Sequence, residues 1–227
     1  MISFKLRRSF AALIILIAIV VGIAVYPEFQ KSIPPASQVS EGGEAITALN
    51  TLAVKGRAPK TGYERSQFGD GWSDTGGCDT RNTILHRDLQ NPITNEKCQV
   101  VSGTLNDPYT GKTILFTRGA STSADIQIDH VVALSDAWQK GAQQLSSSQR
   151  IALANDPLEL LAVDGSANQQ KGDGDAATWL PKNKAFRCQY VARQIAVKSK
   201  YALWITSAEK EAMARVLADC PGQKMPI

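Results

Sequence analysis

The N-terminal segment, in which basic residues are followed by an uncharged apolar run, decides which part of the chain can form the folded domain. Lys5, Arg7 and Arg8 precede residues 10–25, which carry no charged side chain. This order is typical of a secretory signal peptide or of an N-terminal anchor. The run is slightly short for a membrane-spanning helix, which needs about 17–25 residues. Residues 1–30 are therefore predicted to take the chain out of the cytoplasm, and both cleavage and anchoring at the outer face of the cytoplasmic membrane stay open.

The chain contains four cysteines, Cys78, Cys98, Cys188 and Cys220. An even number in an exported chain predicts two disulfides. Three connectivities are possible, and we expect nearest neighbours to pair because the loops they close are of moderate size. A four-cysteine zinc site is the alternative, and the absence of a Cys-x-x-Cys pair disfavours it.

The rest of the chain reads as a linker and one domain. Residues 31–45 are rich in Pro, Ser and Gly, and we interpret them as the linker. Residues 46–227 are long enough for one buried core. The formal net charge of +4 falls to +1 without the three basic residues of the N-terminal segment, so overall charge indicates no polyanionic partner. Residues 182–200 contain six basic and no acidic residues, which fits a solvated helix face or a surface for nucleic acid.

Hydrophobic periodicity predicts an α+β domain with a helical C-terminal layer. Strands are expected at residues 98–105, 112–119, 125–134 and 158–163, and a helical turn after residue 79. A turn is expected at residues 164–168, and Thr206 with Glu209 forms the pattern of a capping box. A short helix is expected at residues 44–55, and further helices at residues 135–143, 146–155, 182–203 and 207–218.

Two polar residues, Asp129 and His130, lie within the predicted strand segment at residues 125–134, near the point where it gives way to a helix. Asp129 offers a carboxylate oxygen suited to Mg²⁺ or Mn²⁺, and His130 can act as a general base on water. Asn168, expected at the start of the helix after the next predicted strand, adds a neutral oxygen ligand. Lys171 is expected near the start of a helix, where backbone N–H groups and a cation favour phosphate oxygens.

The pattern "DHVVAL…LELLAV…N-x-x-KGD" resembles the HNH, or His-Me finger (ββα-metal), endonuclease superfamily. With "CDTRNTILHRDL", "YTGKTILFTRG", "NQQKGDGDAATWLP" and "YVARQIAVKSKYALW", the chain resembles exported bacterial HNH proteins related to the C-terminal domain of GmrSD-type restriction endonucleases. The resemblance covers roughly residues 63–220. It implies a ββα-metal (HNH) core, here with added strands.

The resemblance implies a role for each matching residue. Asp129 and Asn168 would hold one divalent metal ion, Mg²⁺ or Mn²⁺, and His130 would activate the water that hydrolyses a phosphodiester bond of nucleic acid, with DNA the expected substrate. The family's middle position, nine residues before Asn168, is usually Asn and is Glu159 here. Glu159 could orient His130, bind the metal, or mark a weakened site.

Further expectations concern the substrate and the partners. Lys171, Arg118 and Arg81 are expected to contact phosphates, and His86 is expected on a helix surface. No obligate protein partner is inferred, and a membrane contact is expected only through residues 10–25. The alternative to an exported endonuclease is a weakened HNH scaffold that binds nucleic acid or protein at the cell surface.

Overall fold

Helices and short strands alternate along the part of the chain that the computed structural model describes, residues 44–226. The predicted signal or anchor in residues 1–30, and the linker up to residue 43, lie outside this part. The predicted domain limits therefore stay a prediction. Among residues 44–226, no helix combines the length and the apolar character needed to cross a bilayer.

The elements form an α+β arrangement of short sheets and helices. The strands of the described residues are β1 Asp74–Thr75, β2 Cys78–Asp79, β3 Gln90–Thr94, β4 Val100–Asn106, β5 Thr113–Thr117, β6 Ile126–His130 and β7 Leu160–Asp164. The α-helices are α1 Ala45–Thr51, α2 Thr80–Asp88, α3 Leu134–Gln139, α4 Ser147–Ala154, α5 Gly165–Lys171, α6 Arg187–Lys200 and α7 Ser207–Ala218. Short 3₁₀ helices lie at Arg65–Phe68, Ala142–Gln144 and Lys184–Phe186.

The strands pair antiparallel in three separate sheets: β1 with β2, β3-β4-β5, and β6 with β7. The strand that ends in Asp129 and His130 is present as predicted, and its partner is β7. The sequence pattern does not indicate strand β3, because the strand contains Pro92. It is an edge strand, where the missing N–H of a proline is tolerated.

Helix α5 follows β7 directly, where the sequence predicted a turn at residues 164–168. The side chain of Asp164 accepts a hydrogen bond from Ala167 N at 2.7 Å and caps the helix. A Cβ atom at Gly165 would lie 2.2 Å from the backbone oxygen of Ala124, so only glycine fits there. The chain thus runs strand, long connection, strand and helix, with α5 against the β6–β7 sheet. Whether this unit is a ββα-metal core remains a prediction.

The β6–β7 sheet lies between two apolar cores. Ile126, Ile128, Leu160 and Ala162 pack into a core with α2 and the three-stranded sheet. The other face of the sheet contributes Leu161 and Val163 to a larger core that includes α6 and α7. Since both faces are covered, the end of β6 is held firmly in place.

A cluster of charged side chains is buried beneath the helical C-terminal layer. Lys140 Nζ lies 2.8 Å from carboxylate oxygens of Asp136 and Asp175 and 2.6 Å from Glu209. Lys198 Nζ lies 3.0 Å from the other oxygen of Glu209. Buried charges of this kind are tolerated only when paired. The predicted capping box is therefore only half correct: Glu209 N donates to the Thr206 hydroxyl at 3.2 Å, but the Glu209 carboxylate binds the two lysines.

Both predicted disulfides are present, Cys78–Cys98 and Cys188–Cys220. The four-cysteine zinc alternative is wrong, because no cysteine is free. Closing loops of 20 and 32 residues stabilises the fold by about 3–4 kcal/mol each in the chain-entropy model.

Candidate functional site

The last two residues of β6 and the middle of α5 border one cavity of about 460 Å³. Asp129, His130 and Asn168 all line it. Asp129 pairs in register with Leu161 and faces α5, whereas His130 pairs with Leu160 and faces α4. The alternation of a β-strand thus places the two side chains on opposite faces, and the cavity at the strand end reaches both.

Asp129 is buried, and two neighbouring side chains hold its carboxylate. Lys171 Nζ donates to Oδ1 at 2.8 Å, and the Tyr109 hydroxyl donates to Oδ2. Burial and the negative charge of Asp129 raise the pKa of Tyr109 well above its usual value, so the phenol remains a donor. A carboxylate has about four acceptor positions, so two remain for a cation.

His130 is held in a single orientation by a hydrogen bond and a stacked ring. Its Nε2 lies 3.0 Å from the backbone oxygen of Ala154, and the Trp72 ring lies parallel to it with centroids 5.6 Å apart. Since a carbonyl oxygen only accepts, Nε2 must carry the proton and Nδ1 the lone pair. Burial lowers the pKa of His130 to about 3, against the opposing effect of the Ala154 hydrogen bond. The imidazole is therefore neutral at pH 7 and Nδ1 carries its lone pair, although a pKa this low also makes the ring a weak base.

Asn168 lies in the middle of α5, not at its start as predicted. Its Nδ2 donates to Gln127 Oε1 at 2.8 Å, which fixes the amide plane. No donor among residues 44–226 bonds to its Oδ1, so this oxygen is free to accept.

The oxygens of Asp129 and Asn168 fit a hard divalent cation. Mg²⁺ keeps several waters in proteins and binds through one or two carboxylates together with substrate phosphates. Within the described residues, no group of three or more His, Cys, Asp or Glu side chains could hold a metal ion. A cation held by Asp129 and Asn168 alone would keep its other ligand positions for water and phosphate.

Glu159 is fully buried and does not line the cavity. Both of its carboxyl oxygens lie 3.2 Å from Val132 N, and its backbone oxygen accepts from Val131 N at 2.8 Å. Burial raises the pKa of Glu159 well above its usual value. Glu159 thus braces the backbone directly after His130.

The three residues expected to contact phosphate have different surroundings. Lys171 is the last residue of α5, not near its start, and its buried ammonium donates to Asp129 and, at 2.6 Å, to His130 O. Arg118 donates to Val100 O at 2.8 Å and is not among the residues of the cavity. Arg81 lines the cavity, although Nη2 also donates to two backbone oxygens. Of the three, Arg81 alone lines the cavity.

The basic run at residues 182–200 does not form one continuous surface. Lys198 is buried, and Arg193 donates to Leu158 O at 2.9 Å. Lys200 is paired with Asp156 at 2.6 Å. These three basic side chains thus contact other groups of the domain, whereas Lys182 and Lys184 are exposed. A contact between this run and nucleic acid stays a prediction.

Three residues at the site carried no recognised sequence signal: Arg65, Trp72 and Tyr109. Arg65 is exposed and lines both this cavity and a second one of about 340 Å³, which His130 also borders. Its guanidinium has no hydrogen bond or ion pair within residues 44–226. Trp72 borders both cavities as well.

Comparison with known proteins gives two matches. The family model for the C-terminal domain of GmrSD restriction endonucleases matches residues 79–216. An uncharacterized secreted protein of Arthroderma benhamiae is 37% identical over 190 residues, which cover 83% of this chain and 90% of that protein. That organism is a fungus, whereas the sequence resemblance points to bacterial proteins. No solved structure matches the chain.

Proposed function

The chain belongs to the family of the C-terminal domain of GmrSD restriction endonucleases, and we propose that it is an exported, metal-dependent endonuclease that hydrolyses phosphodiester bonds of DNA. The observation that carries the proposal is the meeting of His130, Asp129 and Asn168 at one cavity. A base, a carboxylate and an amide oxygen are the groups that metal-assisted hydrolysis requires.

The base is His130. With Nε2 bonded to Ala154 O, its free Nδ1 takes a proton from the attacking water. The resulting imidazolium keeps the Ala154 hydrogen bond, and Trp72 keeps the ring in place. General-base catalysis of this kind contributes about 10²–10⁴-fold to a rate.

The metal ligands are Asp129 and Asn168. A bound Mg²⁺ or Mn²⁺ would stabilise charge on the phosphate and on the leaving 3′ oxygen. Lys171 and Tyr109 keep the Asp129 carboxylate in position. Arg65 and Arg81 supply positive charge at the cavity for substrate phosphates, as sequence-independent, salt-sensitive contacts.

Export is part of the proposal. The Arthroderma benhamiae relative is named a secreted protein, and two disulfides are typical of an oxidising compartment. Residues 10–25 would be removed with a signal peptide or would hold the protein at the outer face of the membrane.

The second candidate function is a non-catalytic module that binds nucleic acid or protein at the cell surface. Glu159 in place of the usual Asn motivates it. The contacts of Glu159 argue against this second candidate. Its carboxyl group accepts a hydrogen bond from Val132 N and so can brace this loop as an amide side chain would. We therefore favour the enzyme.

The test is an incubation of the oxidised, full-length protein with plasmid DNA and with RNA, in Mg²⁺, Mn²⁺ or EDTA. Cleavage of DNA that requires metal supports the proposal. Binding of DNA without cleavage under any of these conditions supports the second candidate.

A further inference from the structure

The ion pair between Lys171 and Asp129 bears on how a metal ion could bind. The side chain of Lys171 is 0% exposed and that of Asp129 is 6% exposed. The pair is therefore shielded from water, and its charges act on neighbouring groups more strongly than charges at the surface do. A cation at Asp129 would share the carboxylate with an ammonium group 2.8 Å away.

The other charges at the cavity also disfavour the binding of a cation by itself. Its second carboxylate, Asp173, is paired with Lys60 at 2.9 Å. Each carboxylate therefore has its own lysine. Arg65 and Arg81 have no carboxylate partner within the described residues and leave the cavity with a surplus of positive charge.

We propose that Lys171 acts as an internal counter-ion, with a weaker, solvent-screened contribution from the exposed Lys60, so that the divalent ion binds well only together with a phosphodiester of the substrate. This inference rests on the proposed function and adds to it that metal binding depends on bound substrate. The two lysines neutralise the carboxylates of the cavity, and a substrate phosphate group supplies negative charge in their place. By linkage, metal and nucleic acid then raise each other's affinity by the same factor.

The arrangement makes the cofactor site dependent on the substrate. Two acceptor positions of the Asp129 carboxylate remain for the ion, so Lys171 weakens metal binding without blocking it. The hydrogen bond from Lys171 to the His130 oxygen keeps the lysine in place. Lys171 is thus a positioning residue for Asp129 and sets the affinity of the site for metal.

The experiment is a calorimetric titration of Mn²⁺ into the full-length His130→Ala protein, with and without a saturating short DNA oligonucleotide that this variant cannot cleave. We expect Mn²⁺ to bind about 5- to 150-fold more tightly with DNA, the range of typical coupling between two ligands. DNA affinity should rise by the same factor when Mn²⁺ is present.

Charge-removing variants in the same background identify the cause. Lys171→Met should raise the affinity for Mn²⁺ in the absence of DNA and reduce the coupling factor. Lys171→Arg should leave the coupling factor unchanged. Lys60→Met should act in the same direction as Lys171→Met, and because Lys60 is half exposed this variant is expected to fold. Lys97→Met, at an exposed lysine outside both the cavity and the basic run, is the control and should change nothing.

The outcomes separate the two proposals. Equal Mn²⁺ affinity with and without DNA overturns the coupling and leaves the metal-dependent nuclease intact. An unchanged coupling factor in both the Lys60→Met and the folded Lys171→Met proteins also overturns it. Mn²⁺ that binds under neither condition, or DNA cleavage by the wild type in EDTA, overturns the proposed function and this inference with it.

Discussion

His130 Nε2 and the backbone oxygen of Ala154 are 3.0 Å apart, where the end of β6 contacts the end of α4. The contact fixes the tautomer of the only buried histidine in the part of the chain described by the structure, because a carbonyl oxygen accepts and never donates. Everything proposed for the chemistry depends on the other ring nitrogen, Nδ1, being free.

The first prediction concerns this tautomer and its titration. Nitrogen NMR of the two imidazoles should show His130 protonated at Nε2 and unprotonated at Nδ1. Since burial lowers the pKa of His130 to about 3, the ring should still be neutral at pH 5, where an imidazole with a pKa near 6.5 is mostly charged. A His130 ring that carries its proton at Nδ1, or is charged at pH 5, contradicts the assignment. His86, which is exposed, supplies the comparison signal.

A second prediction tests Glu159 as a brace for the loop after His130. Glu159→Gln keeps an acceptor for Val132 N and should cost less than about 1 kcal/mol in the free energy of unfolding, whereas Glu159→Ala should cost about 1–3 kcal/mol or more. The measurement is urea unfolding. Equal losses in the two variants would show that the hydrogen bond has no stabilising role.

The titration of Glu159 also predicts how the stability difference between wild type and Glu159→Gln changes with pH. Burial raises its pKa in the folded state, so folding favours the protonated acid. The stability this contributes is present below the unfolded pKa, near 4.5, and is lost as the pH rises. Wild type should therefore lose stability relative to Glu159→Gln as the pH increases above about 4.5.

The third prediction concerns Asp175 in the buried charge cluster. Burial alone would raise its pKa, but the Lys140 ammonium outweighs burial and lowers the pKa to about 2. A lowered pKa stabilises the fold fully above the unfolded value near 3.9, and the stabilisation disappears as the pH falls towards 2. Asp175→Asn should cost about 2 kcal/mol at pH 7, and its difference from wild type should shrink between pH 4 and pH 2.

The control for this prediction is Asp219→Asn, at an exposed aspartate. Urea midpoints of wild type and both variants at pH 7 and at pH 2.5 make the comparison. A constant difference between wild type and Asp175→Asn at the two pH values would contradict the role of Lys140.

The fourth prediction assigns substrate phosphate to Arg65. Arg65→Ala should raise the KM for DNA and leave kcat within about twofold, because the side chain is exposed and supports no other group. The slope of log KM against log salt should fall by about one unit if one phosphate contact is lost. Arg215→Ala, at an exposed arginine outside the cavity, should change neither quantity. A fall in kcat alone would place Arg65 in the chemical step.

The sequence predicts features that depend on neighbours along the chain. Helix α7 has the predicted limits, because Thr206 supplies its N-terminal cap next to a helical apolar pattern. The strand ending in His130 was recognised from its alternating residues. Both disulfides follow from the compartment and the spacing of the cysteines.

Contacts between distant segments escaped prediction. Lys171 was expected to face phosphate, and it bonds to Asp129 across 42 residues of sequence. Tyr109 lies between the strands predicted at residues 98–105 and 112–119, and that position does not reveal that the ring points into the core. The buried lysines of the C-terminal layer read as surface charges, because the pattern of one helix does not show which carboxylates other segments bring to it.

The measurement that tests the central claim most directly is the rate of metal-dependent DNA cleavage by His130→Ala, compared with His86→Ala, the change at the other histidine. Both full-length proteins would be assayed with Mn²⁺ on the same plasmid, after circular dichroism shows that each is folded. The account predicts a loss of about 10²–10⁴-fold for His130→Ala and wild-type activity for His86→Ala. Equal activity of the two variants would show that His130 is not the base.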